Sequence, residues 1–509
     1  MSRRFLSVAA LASVGALALT SCSAASDGSD SGSADLDTLS IMAPYFSTTA
    51  PEDDDAVGEA LAELTGVDLD MRWVPNADYG TQTNVVLAGD DIPDVMVIQN
   101  KDQGFIQTAQ AGGFWDLTDH LASGDYPNLV SENPAVQEAA SINGTVYGVY
   151  RARDVIRQSV ILRADWLENL GLDLPETTDD LREIARAFTE DDPDGNGQDD
   201  TTGLIEINWP SVGTGSFYDA IDVWFGSGNV WRDDDGTLTP AWLTDEWRES
   251  LEYQKEFVDS GWVNADFATK EGTTWNQSFM NGEGGIIIDV QSRAAEIVNL
   301  LRDTDPEGFD SYVALAGQLE GPDGTYALPT AGYSGFLAIP KARVQTEEQL
   351  KAVLEVLDAL NTEDGQRLLN NGIEGENYVE EDGFAVYDDA QAEQTALVTG
   401  AWAQLGMAVG GYEGLTAKPA TDYDAELAQR RLDLQAEDVE NAVYNPAAGL
   451  LSETYVTSQT QLDQIIADAR VQYLAGELDD AGLEAALERW RASGGDQVTA
   501  ELQELYDAQ

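Results

Sequence analysis

The stretch that runs from Leu39-Ser40-Ile41-Met42 to Val95-Met96-Val97-Ile98 alternates strand patterns with helix patterns. Between these two apolar runs, residues 57–64 carry apolar side chains at helical spacing, and residues 67–73 alternate strictly between apolar and polar side chains. The first pattern predicts an amphipathic helix and the second a half-buried strand. Strands that alternate with helices in this way predict an α/β lobe built on a central sheet.

Aromatic and amide side chains follow the predicted strands of this lobe. Tyr45 comes just after the first apolar run, and Gln99 and Asn100 come directly after the last one. Ligands of open α/β sheets bind outside the carboxyl ends of the strands. We therefore predict that these three side chains take part in ligand binding.

A second stretch carries a family resemblance: Leu162-Arg163-Ala164-Asp165-Trp166-Leu167-Glu168-Asn169-Leu170-Gly171-Leu172, followed by Pro175-Glu176-Thr177. Further segments match the same family in the same order, at residues 87–95 (Leu-Ala-Gly-Asp-Asp-Ile-Pro-Asp-Val), 144–148 (Gly-Thr-Val-Tyr-Gly), 371–378 (Asn-Gly-Ile-Glu-Gly-Glu-Asn-Tyr) and 476–496. The chain resembles the extracellular solute-binding lipoproteins of ABC sugar importers, a family 1-like group that includes alginate-binding and other oligosaccharide-binding proteins.

The resemblance implies an α/β, two-lobed fold like that of periplasmic binding proteins, in which each hinged lobe has a central sheet flanked by helices. Residues 38–152 and about 291–337 are expected to form the N-terminal lobe, and residues 153–290 with 338–509 the C-terminal lobe. Phe336-Leu337-Ala338-Ile339-Pro340 resembles the family's return crossing between lobes. Apolar faces at helical spacing over the last hundred residues predict a helical C-terminal region.

Residues 192–200 have the oxygen spacing of a helix-flanked calcium loop, with a glycine at the sixth position for the sharp turn. The predicted ligands of a structural Ca²⁺ are the side chains of Asp192, Asp194, Asn196 and Asp200, the main-chain oxygen of Gln198, and Thr201 directly afterwards. Position 12 of the loop is Gly203, where the standard loop has a bidentate glutamate. The alternative is an acidic, turn-rich loop that binds no metal.

The N-terminal residues have the features of an export and anchoring signal. Residues 1–21 combine a basic start with an apolar run of signal-peptide length. Leu19-Thr20-Ser21-Cys22 resembles the lipobox of bacterial lipoproteins, so we expect cleavage before Cys22 and lipidation of its thiol; an ordinary secretory signal is the alternative. Residues 22–37 have almost nothing to bury and are predicted to form a disordered tether.

The charge balance excludes some partners. The chain has 26 Lys and Arg residues against 93 Asp and Glu residues, a formal net charge of −67. Such a surface repels nucleic acids and anionic lipid headgroups, so contact with the membrane is expected through the lipid anchor only. The acidic total also argues weakly against a polyuronate ligand, although one local arginine cluster would reverse that argument.

No catalytic constellation can be assembled from the single histidine and single cysteine of the chain. Paired carboxylates, as in glycosidases, are expected by chance among so many acidic residues. We therefore predict a receptor that is not an enzyme: a monomer, lipid-anchored at the extracellular face of the cell membrane, that captures an oligosaccharide and delivers it to an ABC transporter permease. A secreted or cell-surface glycoside hydrolase and a peptide-binding receptor are the alternatives.

Aromatic side chains offer flat apolar faces to sugars and polar edges to their hydroxyls. The stacking candidates, chosen because they lie near glycines or predicted element ends, are Trp224, Trp275, Tyr333, Trp402 and Tyr412. Arg151 is a candidate for bidentate binding of a hydroxyl or carboxylate. Glu374, in its Gly-Ile-Glu-Gly context, either binds sugar or holds its loop.

The lipobox generates the first testable prediction. Replacement of the lipidated thiol in Cys22→Ala should release the protein into the medium or leave it unprocessed, because the diacylglyceryl group has no other attachment point. Detergent phase partitioning of wild type and variant measures this. Identical partitioning of both proteins into the aqueous phase would show that the chain is not a lipoprotein.

Overall fold

The computed structural model describes residues 36–52, 55–131, 133–209 and 211–508. The predicted signal peptide, Cys22 and all but the last two residues of the predicted tether lie outside these ranges. Among the residues within them, no helix is both long enough and apolar enough to cross a membrane.

The described residues form strands and helices that alternate along most of the chain. The strands are β1 (Thr38–Tyr45), β2 (Asp68–Pro75), β3 (Val95–Ile98), β4 (Gly148–Ala152), β5 (Gln158–Arg163), β6 (Thr202–Leu204), β7 (Trp231–Asp234), β8 (Thr237–Pro240), β9 (Gly284–Val290), β10 (Val313–Ala316), β11 (Glu320–Gly321), β12 (Gly324–Thr325), β13 (Tyr333–Ala338), β14 (Val379–Glu381) and β15 (Phe384–Val386). The helices are α1 (Ala56–Thr65), α2 (Asn76–Leu87), α3 (Gln103–Gln110), α4 (Thr118–Ala122), α5 (Pro134–Ala140), α6 (Ala164–Leu170), α7 (Thr178–Glu190), α8 (Phe217–Trp224), α9 (Asp245–Asp259), α10 (Trp275–Met280), α11 (Ser292–Thr304), α12 (Glu347–Leu360), α13 (Glu363–Asn371), α14 (Ala392–Gly400), α15 (Asp422–Asp438), α16 (Glu453–Leu474), α17 (Asp480–Trp490) and α18 (Asp496–Tyr506).

The first sheet has the strand order β2-β1-β3-β13-β4. Strands β1, β2 and β3 are parallel, whereas β13 runs antiparallel to both of its neighbours. The strict alternation of the sequence falls on β2, where Leu69, Met71 and Trp73 are half-buried between exposed polar residues. The predicted α/β lobe is therefore confirmed.

The second sheet has the order β10-β5-β9-β6. Its strand β9 is buried from Gly284 to Asp289, and helices α6 and α7 cover it so closely that only glycine fits at position 285. A Cβ atom on Gly285 would lie 2.3 Å from the Phe188 ring and 2.6 Å from the Trp166 ring. The motif around Trp166 that carries the family resemblance is thus a core element of the second lobe.

Two separate apolar cores define the two lobes, and they correct the expected segment boundaries. Helix α11 and Leu315, expected in the N-terminal lobe within residues 291–337, pack in the second core. Residues 338–409, expected in the C-terminal lobe, contribute α12, α13 and Trp402 to the first core. The apolar run at residues 336–340, which resembles a crossing in sequence, is apolar because β13 lies inside the first sheet, between β3 and β4.

The predicted helical C-terminal region is confirmed. Helices α16, α17 and α18 pack on the second core through the residues Leu462, Ile466, Leu483, Leu487, Trp490, Val498 and Leu502. A charge pair ties this region to the rest of the lobe. Arg470 of α16 lies 2.5 Å from a carboxylate oxygen of Asp222, and both side chains are buried. A buried charge of this kind is tolerated only when its partner is present.

Glu206 is a second buried acid in the same lobe. It is 2% exposed, and burial raises the pKa of its carboxyl to about 8, against a smaller lowering by the nearby Tyr218 hydroxyl. The folded state therefore holds the proton that the unfolded chain releases near pH 4.5. The stability that comes from this protonation is complete at low pH and is lost as pH rises towards 8.

Glu206→Gln tests this assignment, because the amide mimics the protonated acid at every pH. The melting temperature of the wild type should fall from pH 5 to pH 8, and the fall should be smaller in the variant. One pKa unit corresponds to about 1.4 kcal/mol. From pH 5 to pH 8, the wild type should therefore lose several kcal/mol more of its unfolding free energy than the variant does. The exposed control Glu59→Gln should keep the wild-type slope. An equal slope in Glu206→Gln would contradict the assignment.

Candidate functional site

A cavity of about 330 Å³ lies between the two lobes. Ala135, Ala139 and Tyr333 come from the first lobe, and Gln158, Thr214, Asn229 and Val290 from the second. The remaining polar and charged lining residues lie on or near the segments in which the chain passes from one lobe to the other: Arg153, Arg157, Thr330, Tyr444 and Asn445. A molecule held in this cavity would touch both lobes.

The strand directions explain why the cavity lies where it does. In the first sheet, Tyr333 at the start of β13 pairs with Ala152 at the carboxyl end of β4. In the second sheet, Val290 at the carboxyl end of β9 pairs with Gln158 at the start of β5. Each lobe therefore presents to the cavity the sheet edge at which parallel strands end, which is where ligands of open α/β sheets bind.

Backbone hydrogen bonds join the crossing segments behind this cavity. The amide of Arg153 donates to the carbonyl of Gly332 (3.0 Å), and the amide of Thr330 donates to the carbonyl of Val155 (2.7 Å). Ile156 and Pro329 form a β-bridge between the same two segments. The outgoing and returning chains thus cross the lobe boundary as a short antiparallel pair.

The predicted strand-end residues lie at the edge that faces the cleft but not in the cavity wall. Tyr45 ends β1, and Gln99 and Asn100 follow β3. The Gln99 amide donates to the side-chain oxygen of Asn76, at 2.8 Å. Their part in ligand binding stays a prediction.

Three predicted stacking residues are core residues, which corrects their assignment. Trp224, Trp275 and Trp402 are 0%, 1% and 2% exposed. Their indole nitrogens donate within the protein, to Gln318 (2.8 Å), to the Ile205 carbonyl (2.9 Å) and to Asp55 (2.9 Å) respectively. Nearness to a glycine or an element end did not separate a cleft position from a core position.

The other predicted residues have different environments. Tyr333 lines the cavity, and the Lys101 ammonium lies 5.8 Å from the centre of its ring. Tyr412 is half-buried, and its hydroxyl accepts a hydrogen bond from Arg367 at 3.0 Å. The Glu374 side chain is exposed, while its backbone bridges to Tyr378 across the loop.

Arg151 is held by the first lobe. Its guanidinium donates to the Ser334 carbonyl (3.2 Å) and to the Gln404 side-chain oxygen (3.1 Å). Burial, helped by the charge of Arg153, lowers its pKa to about 10. These two hydrogen bonds fix the side chain beside the cleft.

Sequence reasoning missed an aromatic residue on the second lobe. Trp209 is half-buried in the loop after β6, with its ring edge-on to Phe217 and Trp275 at 6.4 and 6.5 Å. Its indole nitrogen donates to the hydroxyl of Thr214, which lines the cavity (2.9 Å). Trp209 lies beyond the residues that directly follow β6, which ends at Leu204, so the strand-end rule used for the first lobe does not select it.

Asp219 holds the cavity wall formed by residues 213–215. Its carboxylate accepts the amides of Gly213 (3.2 Å), Thr214 (3.1 Å), Gly215 (3.0 Å) and Ser216 (3.0 Å). Both glycines have positive φ angles, 67° and 80°, which other residues rarely adopt. Arg470 lies 3.7 Å from the same carboxylate, so the C-terminal region supports the wall of the cleft.

The predicted calcium loop closes on itself. Asp192 accepts the amide of Gly197 at 3.0 Å, which joins the first and sixth positions. The Asn196 side-chain nitrogen donates to both Asp194 (2.7 Å) and Asp200 (3.2 Å), so it lies between two carboxylates, as a cation would. The donor set therefore suits Ca²⁺, which prefers hard oxygen ligands.

Thr201 is a correction to that ligand set. Its hydroxyl is buried and donates to the Phe188 carbonyl of α7, at 2.9 Å. Within the described residues, no three or more His, Cys, Asp or Glu side chains are arranged to hold a metal ion.

Two α/β lobes that face each other across a ligand-sized cavity, with the chain crossing repeatedly between them, define a two-lobed solute receptor. Residues 48–367 match the model of the bacterial extracellular solute-binding protein family. The chain belongs to this family.

Two relatives from Bacillus subtilis (strain 168) match almost the whole chain. The lipoprotein LipO is 39% identical over 498 residues, which cover 97% of each chain. The polygalacturonan/rhamnogalacturonan-binding protein YtcQ is 32% identical over 494 residues, 96% of this chain and 95% of the relative.

Solved structures show the same fold at low sequence identity. An HMO-binding, ABC-transporter-associated solute-binding protein from Bifidobacterium longum infantis superimposes with a TM-score of 0.70, at 18% identity over 93% of this chain and 99% of its own. An EF-hand mutant of the Streptococcus pneumoniae substrate-binding protein FusA, in complex with fructo-nystose, gives 0.65 at 18% identity, over 92% and 99% of the two chains.

Proposed function

We propose that this protein is a lipid-anchored, monomeric receptor that captures an oligosaccharide outside the cell and delivers it to an ABC transporter permease. The observation that carries the proposal is the cavity between two sheet edges, whose polar walls come from both lobes and from the crossing segments. Tyrosine, amide, hydroxyl and guanidinium groups line it, and these are the donors and acceptors that sugar hydroxyls require.

The mechanism is binding without bond cleavage. A ligand that touches Tyr333 on one lobe and Thr214 or Asn229 on the other favours the closed form, because these contacts are complete only when the lobes approach. The paired crossing segments provide the hinge. The permease would then distinguish the closed form from the open one.

The relatives support the ligand class and the anchor. YtcQ is named for the binding of polygalacturonan and rhamnogalacturonan, and the FusA structure contains fructo-nystose. LipO is named as a lipoprotein, in agreement with lipidation at Cys22. These names favour an oligosaccharide receptor over a peptide receptor or a glycoside hydrolase.

Thermal shift against a panel of neutral oligosaccharides, acidic oligosaccharides and short peptides tests the proposal. A ligand that binds only the folded state stabilises it by RT ln(1 + [L]/Kd), about 2.7 kcal/mol at a hundredfold excess over Kd. Tyr333→Ala should lose most of this gain, whereas Tyr312→Ala, a half-buried tyrosine outside the cavity, should retain it. The incubated sugars should be recovered uncleaved. Stabilisation by peptides alone, or cleavage of a sugar, would refute the proposal.

We also propose that residues 192–200 bind one structural Ca²⁺. Asp192, Asp194, Asn196 and Asp200 would supply side-chain oxygens and Gln198 its main-chain oxygen. The ion would neutralise a cluster of carboxylates and fasten the end of α7 to the start of β6.

The place of the loop argues for a structural role. It precedes β6, which pairs with the first half of β9, whereas the cavity lies at Val290 at the other end of β9. The strand from Gly284 to Val290 spans roughly 20 Å at about 3.3 Å per residue. Calcium should therefore stabilise the second lobe without touching the ligand.

Removal of calcium with a chelator should lower the melting temperature and leave oligosaccharide affinity nearly unchanged below that temperature. Metal analysis should find one Ca²⁺ per chain in the wild type and in the exposed control Asp173→Ala, and none in Asp194→Ala. Sub-stoichiometric calcium in wild-type protein that has been equilibrated with millimolar Ca²⁺ would rule out the site.

A further inference from the structure

The distribution of charge around the cavity is opposite to that of the chain. Two arginines, Arg153 and Arg157, line the cavity, and none of its nineteen lining residues, all within the described ranges, is Asp or Glu. With 93 acidic residues among 509, roughly three would be expected in a set of that size. An acid-free wall in so acidic a protein indicates a negatively charged ligand.

The two arginines also differ from most of the other arginines in the described part of the chain. Most other arginines of the described part of the chain lie within 4.0 Å of a carboxylate, as Arg72 does with Asp91 and Arg343 with Asp94. Within the same residues, no such pair forms at Arg153 or Arg157. The nearby Asp154 has its carboxylate engaged by the Gln435 side chain at 3.0 Å.

The pair is mutually repulsive. Partial burial and the charge of Arg157 lower the pKa of Arg153, and Asp154 offsets this only in part. Two like charges that share a cavity wall and are only partly offset by Asp154 cost free energy that an anionic ligand would recover on binding. The planar guanidinium suits a carboxylate because it can form two parallel hydrogen bonds with it.

We propose that the cleft selects carboxylate-bearing oligosaccharides, that is, sugars that contain uronic acid, and that Arg153 and Arg157 bind the carboxylate. This inference rests on the proposed oligosaccharide receptor function. Different parts of the cavity wall then bind different parts of the sugar. The arginines at the crossing segments bind the carboxylate, and Tyr333, Asn229 and Thr214 contact the ring and its hydroxyls. The net charge of −67 repels such a ligand at long range, so the preference arises from the local pair.

Matched sugars test the proposal. Binding of galacturonate and mannuronate oligomers to the purified mature protein is measured by calorimetry beside their methyl esters and neutral galactose and mannose oligomers. At least one acidic oligomer should bind roughly tenfold or more tightly than its own ester, since hydrogen bonds to charged groups are the stronger ones.

Variants then assign the residues. Arg153→Gln and Arg157→Gln should each weaken binding of the acidic sugar by roughly tenfold or more, and should weaken binding of its ester much less. Arg72→Gln, which removes the same charge from an exposed arginine outside the cavity, should leave both affinities unchanged. Melting curves of each variant verify the fold, and the comparison of acid with ester in the wild type needs no variant.

The outcomes separate this inference from the proposed function. Tight binding of neutral or esterified sugars without a preference for the acid would overturn the inference and leave the receptor function intact. A preference for sulfated sugars over uronates would also overturn it. Failure of every oligosaccharide to bind would overturn both.

Discussion

The antiparallel pairing of two crossing segments is the constraint on which the rest of the structure depends. The hydrogen bonds from Arg153 to Gly332 and from Thr330 to Val155 hold the outgoing and returning chains together. The same few residues place β4 and β13 in the first sheet and β5 in the second, so that both sheets turn their ligand-binding edges towards one cavity. Two crossing segments paired in this way can bend together as a hinge. The backbone hydrogen bonds between them keep the segments together and in register.

Charge is the second organising factor, and it is distributed unevenly. The surface carries a large excess of carboxylates, while the second lobe buries Glu206, Asp219 and Asp222 with Arg470. The Arg470–Asp219 contact connects the C-terminal helices to the loop that lines the cleft, so the packing of a distant region supports the binding wall. Among the described residues, Arg153 and Arg157 at the crossing segments have no carboxylate within ion-pair distance, which favours a negatively charged ligand.

The sequence predicted the family, the fold class, the first three strands of the first lobe and the helical end, because periodicity and the motif around Trp166 report local structure and direct packing. It assigned residues 291–328 and 338–409 to the wrong lobe, since an apolar run such as Phe336–Ile339 does not tell which sheet a strand joins. The same limit applied to the site. Trp224 and Trp275 resemble Tyr333 in local context, and only tertiary packing separates a buried ring from an accessible one. Arg153 and Arg157 were missed because an arginine is available to an anionic ligand only where no carboxylate pairs with it. A sequence pattern does not show which carboxylates lie nearby in the folded protein.

Small-angle X-ray scattering with and without bound oligosaccharide tests the central claim most directly. If the cavity between the lobes is the binding site and the crossing segments form a hinge, saturating ligand should reduce the radius of gyration of the protein. Wild type and the Tyr333→Ala variant should scatter alike without ligand. An unchanged radius of gyration in wild-type protein that calorimetry shows to be saturated would contradict a receptor that closes around its ligand.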